Sequence, residues 1–192
     1  MNNIIRIRRL CLAALFLSLG WLLPLITGQI QTIGNMLCPM HIPVFLCGLI
    51  LGPIYGAVIG FITPLSRILI FGMPVFYPNG LCMAFELAIY GLVSGLLYKF
   101  LKKDRLTSIY FSLIPSMILG RIIWGISMYL CGLVSKNSFT WILFVYGAFI
   151  NAWPGILIQL IIIPILIKSL IKSNILEKFS YRKESNNERN IK

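Results

Sequence analysis

Charged side chains are scarce in this sequence, and acidic ones are the scarcest. Of the 192 residues, 11% are Asp, Glu, Lys or Arg, and Asp and Glu together number 5. A soluble domain carries roughly a quarter charged residues, which cover its surface toward water. The shortage therefore excludes an ordinary water-soluble domain. Because 58% of the residues are hydrophobic, lipid is the expected main solvent. The length suffices for one compact helical domain.

Sequence motifs of catalysis and energy conversion are also missing. No G-x-x-x-x-G-K-[ST] occurs, which argues against a nucleotide-hydrolysing engine within the chain. The single histidine and the lack of H-E-x-x-H or C-x-x-C spacing argue against a zinc centre. No nucleophile elbow is visible. We therefore expect neither enzymatic activity, nor a cofactor, nor a bound metal.

The five cysteines show no metal-ligand spacing and no disulfide framework. We expect most of them to act as small apolar residues in helix packing. The exception is the cysteine that falls in a predicted external loop, Cys38. The positions are Cys11, Cys38, Cys47, Cys82 and Cys131.

Long apolar runs dominate what is present. They last about 20 residues and lack the period-two alternation of a barrel strand, so they predict transmembrane helices. The expected fold class is an all-α polytopic membrane protein with six spans. These spans cover approximately residues 10–26, 41–51, 53–71, 81–101, 108–134 and 141–171. Together they form one membrane domain over residues 1–172, followed by a charged tail, 173–192, that is expected to be disordered.

The placement of positive charge predicts the orientation. The net charge of +12 arises from basic residues at the N-terminus, in the loop after span four and in the tail. Cytoplasmic loops of membrane proteins carry such an excess of Lys and Arg. Six spans put all three clusters inside, so we expect both termini in the cytoplasm. Basic residues beside apolar spans favour contact with anionic lipid headgroups and argue against nucleic-acid binding.

Apart from lysines near the predicted cytoplasmic ends, three charged residues and one histidine fall within or at the edges of spans: Arg67, Glu86, Arg121 and His41. Each charge costs about 2.5–3.5 kcal/mol at a helix centre if it faces lipid. These side chains must therefore face the bundle interior, a partner or water. With the N-terminus inside, nearly all of them map to the outer half of the membrane. The arrangement predicts a pocket that opens outward beneath two uncharged loops.

Helical spacing places further polar and aromatic residues on the same faces. The predicted faces are Met83, Glu86 and Tyr90 on span four; Met117, Arg121, Trp124 and Met128 on span five; and Gly147, Asn151, Gly155 and Gln159 on span six. Aromatic and thioether walls with a few polar anchors are typical of small-molecule sites. The candidate substrate-binding residues are Arg67, Glu86, Arg121, Asn151, His41, Trp124, Trp153 and Tyr90.

Each candidate also has a purely structural interpretation. Arg67 or Arg121 could pair with Glu86 and bind no ligand, although one acid cannot neutralise two arginines. Asn151 could hydrogen-bond between packed spans. His41 could cap its helix, and the tryptophans could lie at the membrane interface. The excess of arginine over acid predicts a ligand with a carboxylate or another acidic group.

Glycine and proline in spans two and three resemble a known family. The pattern consists of Pro39-Met40-His41-Ile42-Pro43-Val44, Gly48, Gly52-Pro53-Ile54-Tyr55-Gly56 and Gly60. It resembles the second and third spans of the substrate-binding S components of energy-coupling factor (ECF) transporters. The six-span layout, the short second span and the size are similar as well. The resemblance covers roughly residues 8–172.

The resemblance implies a micronutrient or vitamin uptake subunit of the bacterial plasma membrane. Its partners would be a transmembrane coupling subunit and two cytoplasmic ATPases. Small residues four apart on span one would dock onto the coupling subunit, and the corresponding positions are Ala14 and Ser18, with Ala13 beside them. Leu17 takes the fourth position after Ala13, which departs from the family's alanine pair. Small residues at this spacing permit close helix approach in any membrane protein.

Three other functions remain open from the sequence. A stand-alone facilitator or channel would transport its solute without any ATPase. An intramembrane lipid-modifying enzyme would need an acid cluster or metal site, and the sequence offers neither. A scaffold protein would bind no small ligand at all.

Overall fold

The computed structural model describes residues 2–26, 34, 36–101, 106–135 and 146–172. Every regular element within these ranges is helical, so the predicted all-α class is confirmed. The helices are α1 (Asn2–Ile26), α2 (His41–Leu51), α3 (Pro53–Phe71), α4 (Leu81–Phe100), α5 (Leu106–Ser135) and α6 (Trp153–Lys172). Two π-type turns, Phe76–Gly80 and Tyr146–Ile150, precede α4 and α6.

Helix length separates five of these elements from the sixth. In the described part of the chain, α1, α3, α4, α5 and α6 are long and apolar enough to cross a membrane. The 11 residues of α2 rise only about 16 Å at 1.5 Å per residue, against a hydrocarbon core of about 30 Å. The molecule thus has five membrane-length helices and one short helix, and the number of crossings stays a prediction.

Helix ends differ from the predicted spans at two places. Helix α1 begins at Asn2 rather than near residue 10, so the N-terminal arginines lie on its first turns. Helix α6 begins at Trp153, after a turn at residues 151–152, and the predicted sixth span is therefore not one continuous helix over its described part. Its beginning at 141–145, the basic loop at 102–105 and the tail at 173–192 lie outside the described residues.

The short helix α2 lies at the centre of the bundle. It packs against α1, α3, α4 and α6, while α4 packs against α2, α3 and α5. Ten of the 11 residues of α2 are buried, all except Ile42. Backbone at membrane depth is tolerated in short or broken segments when protein surrounds it. The burial of α2 therefore explains how so short a helix sits among membrane-length neighbours.

Two glycines determine how α2, α3 and α4 meet. Gly52, with φ +104°, adopts a conformation that favours glycine and reverses the chain between α2 and α3. Pro53 then occupies the first turn of α3, where its missing N–H has no intrahelical partner to lose. At Gly56 a Cβ atom would lie 2.6 Å from both the Gly48 Cα and the Gly91 carbonyl oxygen. The three backbones therefore touch at a point where no side chain fits.

Candidate functional site

A buried ion pair joins α4 to α5. The Arg121 Nη1 lies 3.1 Å from the Glu86 Oε1, and both side chains are almost inaccessible, with Glu86 only 1% exposed. The sequence required these charges to face inward, and α4 and α5 pack side by side. Glu86 lies in the N-terminal half of α4 and Arg121 at the middle of α5, and the contact between the two helices brings these positions together. Burial excludes water, so each charge depends on the other for stabilisation.

Two aromatic rings complete the surroundings of the Glu86 carboxylate. Tyr90, one helical turn further along α4, donates its hydroxyl to the Glu86 Oε1 at 2.7 Å. The His41 Nε2, at the first residue of α2, lies 3.7 Å from the same oxygen. The His41 and Tyr90 rings are 5.2 Å apart, and Phe45 stacks on Tyr90 at 4.9 Å between centroids. Glu86, Arg121, His41 and Tyr90 are called the polar cluster below.

The segment directly before α2, residues 36–40, contacts the polar cluster and is called the covering segment. The Gln159 side-chain amide of α6 donates to the Cys38 carbonyl at 3.3 Å, and the Arg121 Nη2 lies 3.7 Å from the Cys38 Sγ. Burial raises the pKa of the Cys38 thiol above its ordinary value, so the thiol stays neutral beside the arginine. Cys38 has φ +46°, which is sparsely populated for a residue with a side chain. Contacts on two helices thus hold this residue over the cluster.

Three nitrogen atoms of the polar cluster have no hydrogen-bond partner. Among the described residues, they are the His41 Nδ1 and Nε2 and the Arg121 Nε, and all three are buried. Nearly all buried polar groups in proteins are paired, so such atoms call for a physical explanation. The three atoms belong to one cluster, and His41 is only 2% exposed. The cluster therefore has hydrogen-bonding capacity to offer a ligand.

Arg67 lies apart from the polar cluster. It is buried on α3, but its Nη1 donates to the Trp21 carbonyl of α1 at 3.0 Å, and its guanidinium lies 5.5 Å from the centre of the Phe71 ring. Trp21 in turn donates its indole N–H to the Ser66 hydroxyl at 2.9 Å. The sequence did not decide which of the two arginines pairs with Glu86, and the packing of the helices does. Arg121 pairs with Glu86, whereas Arg67 fastens α3 to α1.

The remaining candidates are also outside the polar cluster. Trp153 is 58% exposed at the start of α6, and Asn151 is exposed in the turn before it. The break at residues 151–152 removes Asn151 from the face that would continue through Gly155 and Gln159. Trp124 is half-buried on α5, and its ring lies beside the backbone of Gly147.

Two residues at the cluster were not among the predicted binding residues. Cys38 was singled out only as the cysteine least explained by packing. Gln159 was placed on the polar face of α6 without a role. The usable signal for Gln159 was its position in the apolar first part of α6, one turn after Gly155. At Gly155 an added Cβ would lie 2.6 Å from the Met36 carbonyl, so the covering segment rests directly on α6.

The small residues on α1 point in different directions. Ala13 is 4% exposed and packs in the hydrophobic core, so it faces the bundle and is not accessible to a partner. Ala14 is exposed, and Ser18 is half-buried with its hydroxyl donating to the Leu15 carbonyl at 2.8 Å. Ala13 therefore does not lie on the exposed face of α1, and its part in docking stays a prediction. Ala14 and Ser18 remain on the outer face of α1.

Five membrane-length apolar helices around a buried polar cluster indicate an integral membrane protein. The sequence model of the family described as "ECF transporter, substrate-specific component" matches residues 8–167. The chain belongs to this family of transporter subunits, and the resemblance seen in spans two and three is confirmed. Neither a curated protein nor a solved structure matches the sequence.

Proposed function

We propose that this chain captures a small polar micronutrient at the outer half of the bacterial plasma membrane and delivers it through an ATP-driven ECF module. The solute binds at the polar cluster of Glu86, Arg121, His41 and Tyr90. The observation that carries this proposal is the set of three unpartnered buried nitrogens around one ion pair. A cluster built only for stability would leave no such donors, because each one is costly in a low dielectric.

The proposed topology has six crossings, with both termini in the cytoplasm. Five membrane-length helices support it, and the short α2 completes the even number that the basic clusters require. In this orientation the start of α2, the outer half of α4 and the covering segment at Cys38 all lie toward the outside. Solute then enters from outside beneath the covering segment and leaves inward when the coupling module acts.

The chain has no catalytic role in this proposal. The Glu86 carboxylate is the counter-ion of Arg121 and accepts from the Tyr90 hydroxyl, so in this proposal it anchors the cluster and does not act as a base. Among the described residues no group of His, Cys, Asp and Glu could hold a metal ion. The polar cluster recognises the solute, and the two ATPase subunits of the module supply the energy.

Binding is tested by thermal unfolding of the purified protein against water-soluble vitamins and their precursors. A ligand at 100 times its dissociation constant should stabilise the fold by about 2.7 kcal/mol. His41→Ala should lower the affinity for that ligand at least tenfold, while Thr63→Ala, a buried polar change on α3 whose hydroxyl bonds its own helix, should not. A screen without any stabilising compound contradicts the proposal, and so does an unchanged affinity in His41→Ala. Uptake by the protein alone in ATPase-free vesicles favours a facilitator.

Docking to a coupling subunit is tested on the outer face of α1. Ala14→Trp and Ser18→Trp should abolish copurification with the coupling subunit, because an indole separates helices that small residues bring together. Ligand binding should stay at the wild-type level, since neither residue touches the polar cluster. The matched control is Ile118→Trp, which adds the same ring at an exposed position of α5. If the variants with Trp at positions 14 and 18 still copurify with the coupling subunit in wild-type yield, the docking face lies elsewhere.

A further inference from the structure

The charge balance of the polar cluster bears on the chemistry of its ligand, provided that the proposed function holds. Glu86 and Arg121 neutralise each other at 3.1 Å, and the Cys38 thiol beside them is neutral. Arg67, the cation that made an acidic ligand attractive in the sequence, hydrogen-bonds the Trp21 carbonyl instead. Arg121 already balances the one carboxylate that the His41 ring faces, so the ion pair adds no net charge to the site. No cation of the cluster is left to balance an anionic ligand.

The unpartnered nitrogens indicate what the ligand must supply. The Arg121 Nε carries a hydrogen and can only donate, so it requires an acceptor. The His41 Nε2 faces the Glu86 Oε1 at 3.7 Å, and a carboxylate oxygen only accepts, so the other ring nitrogen, Nδ1, is the one that requires a donor from the ligand. All three atoms are buried, and a ligand that leaves them unpaired gains little. A group with both a carbonyl and an N–H meets this requirement.

We infer that the ligand enters the polar cluster with an uncharged amide-like group, a carboxamide or the lactam edge of a nitrogen heterocycle. The carbonyl oxygen accepts from the Arg121 Nε, and the N–H donates to the His41 ring. A carboxylate of the same size brings acceptors but no donor. It also adds a negative charge beside Glu86 in a site from which water is excluded. Burial of a charge without a partner is strongly unfavourable, so the site rejects the acid in favour of the amide.

The experiment compares matched amides and acids on the full-length protein in detergent. Two probe pairs are nicotinamide against nicotinate and biotin amide against biotin. Uncharged purine and pyrimidine bases, and any compound found in the vitamin screen, are each compared with a charged analogue. We expect the uncharged member of the bound pair to have at least tenfold higher affinity in thermal-shift and calorimetric titrations. Tighter binding of the charged member overturns this inference and leaves solute capture standing. Binding of no compound overturns solute capture as well.

A charge substitution provides a second, independent readout. Glu86→Gln keeps the shape of the side chain but leaves Arg121 without its carboxylate, so the preference should reverse toward the acid by at least tenfold. Arg67→Gln also changes one charge, but outside the cluster, and should leave the preference unchanged. If Glu86→Gln does not fold, His41→Ala decides, because loss of the imidazole should weaken the amide more than the acid. Equal weakening of both probes, or a preference that Glu86→Gln does not alter, contradicts the inference.

Discussion

Replacing Arg121 with methionine should lower the free energy of unfolding by about 3–5 kcal/mol, since it leaves the Glu86 carboxylate buried without its counter-ion. Two neighbours of the carboxylate remain, the Tyr90 hydroxyl and the His41 ring. Neither replaces the positive charge of Arg121 unless a proton is added. Equilibrium unfolding in mixed SDS–detergent micelles measures the change. The same variant should lose ligand binding, because the Arg121 Nε is one of the unpartnered donors.

Arg67→Met is the matched control for this prediction. It removes an equally buried arginine that hydrogen-bonds one carbonyl oxygen and lies near one aromatic ring. Its loss leaves no acid unpaired, so the destabilisation should stay below about 3 kcal/mol. The ligand affinity should not change.

A double variant separates pairing from simple loss of packing. Glu86→Gln combined with Arg121→Met removes both charges, so it should be more stable than the sum of the two single effects predicts. Additive effects of the two substitutions would show that the side chains do not stabilise each other. Equal losses from Arg67→Met and Arg121→Met would contradict the assignment of Arg121 as the partner of Glu86.

Gly56→Ala should destabilise the protein by about 1–3 kcal/mol or more, and Gly56→Leu should prevent its accumulation in the membrane. The added Cβ would lie 2.6 Å from backbone atoms of α2 and α4, which cannot rotate away as a side chain can. The three helices must then separate. Since α2 carries His41 and α4 carries Glu86, ligand affinity should fall together with stability.

The control for Gly56 is Gly34→Ala. No heavy atom lies within 4 Å of a Cβ built at Gly34, so both stability and ligand affinity should stay at the wild-type level. Unfolding in mixed micelles and ligand titration of the same preparations check both variants. Wild-type stability of Gly56→Ala would mean that α2, α3 and α4 do not approach one another as closely as described.

The sequence by itself determined the solvent, the helical class and the direction of the buried charges. Charged residues are scarce and the apolar runs are about 20 residues long, so the sequence predicts a bundle of membrane helices. Because a charge facing lipid is strongly unfavourable, Arg67, Glu86 and Arg121 had to face inward whatever the details of packing. The glycine and proline pattern around Gly52-Pro53, taken with the span layout and the size, pointed to the family that the match over residues 8–167 confirms.

Only the tertiary structure decided which inward-facing groups meet. Helical periodicity puts Arg67 and Arg121 on inner faces alike, but it carries no information about which neighbour each face touches. Because α5 packs on α4, Arg121 forms an ion pair with Glu86. Because α3 packs on α1, Arg67 donates a hydrogen bond to the Trp21 carbonyl. This difference changes the expected ligand from an acid to an uncharged group.

Breaks and rotations of single helices decided the rest. The turn at residues 151–152 interrupts the spacing by fours on which Asn151 was assigned to the site, so Asn151 is exposed while Gln159 is buried. The rotation of α1 about its axis turns Ala13 inward and Ala14 outward, although the two are adjacent in the sequence. The sequence specifies which residues can share a face. The direction in which that face points depends on contacts with the whole bundle, which no local pattern contains.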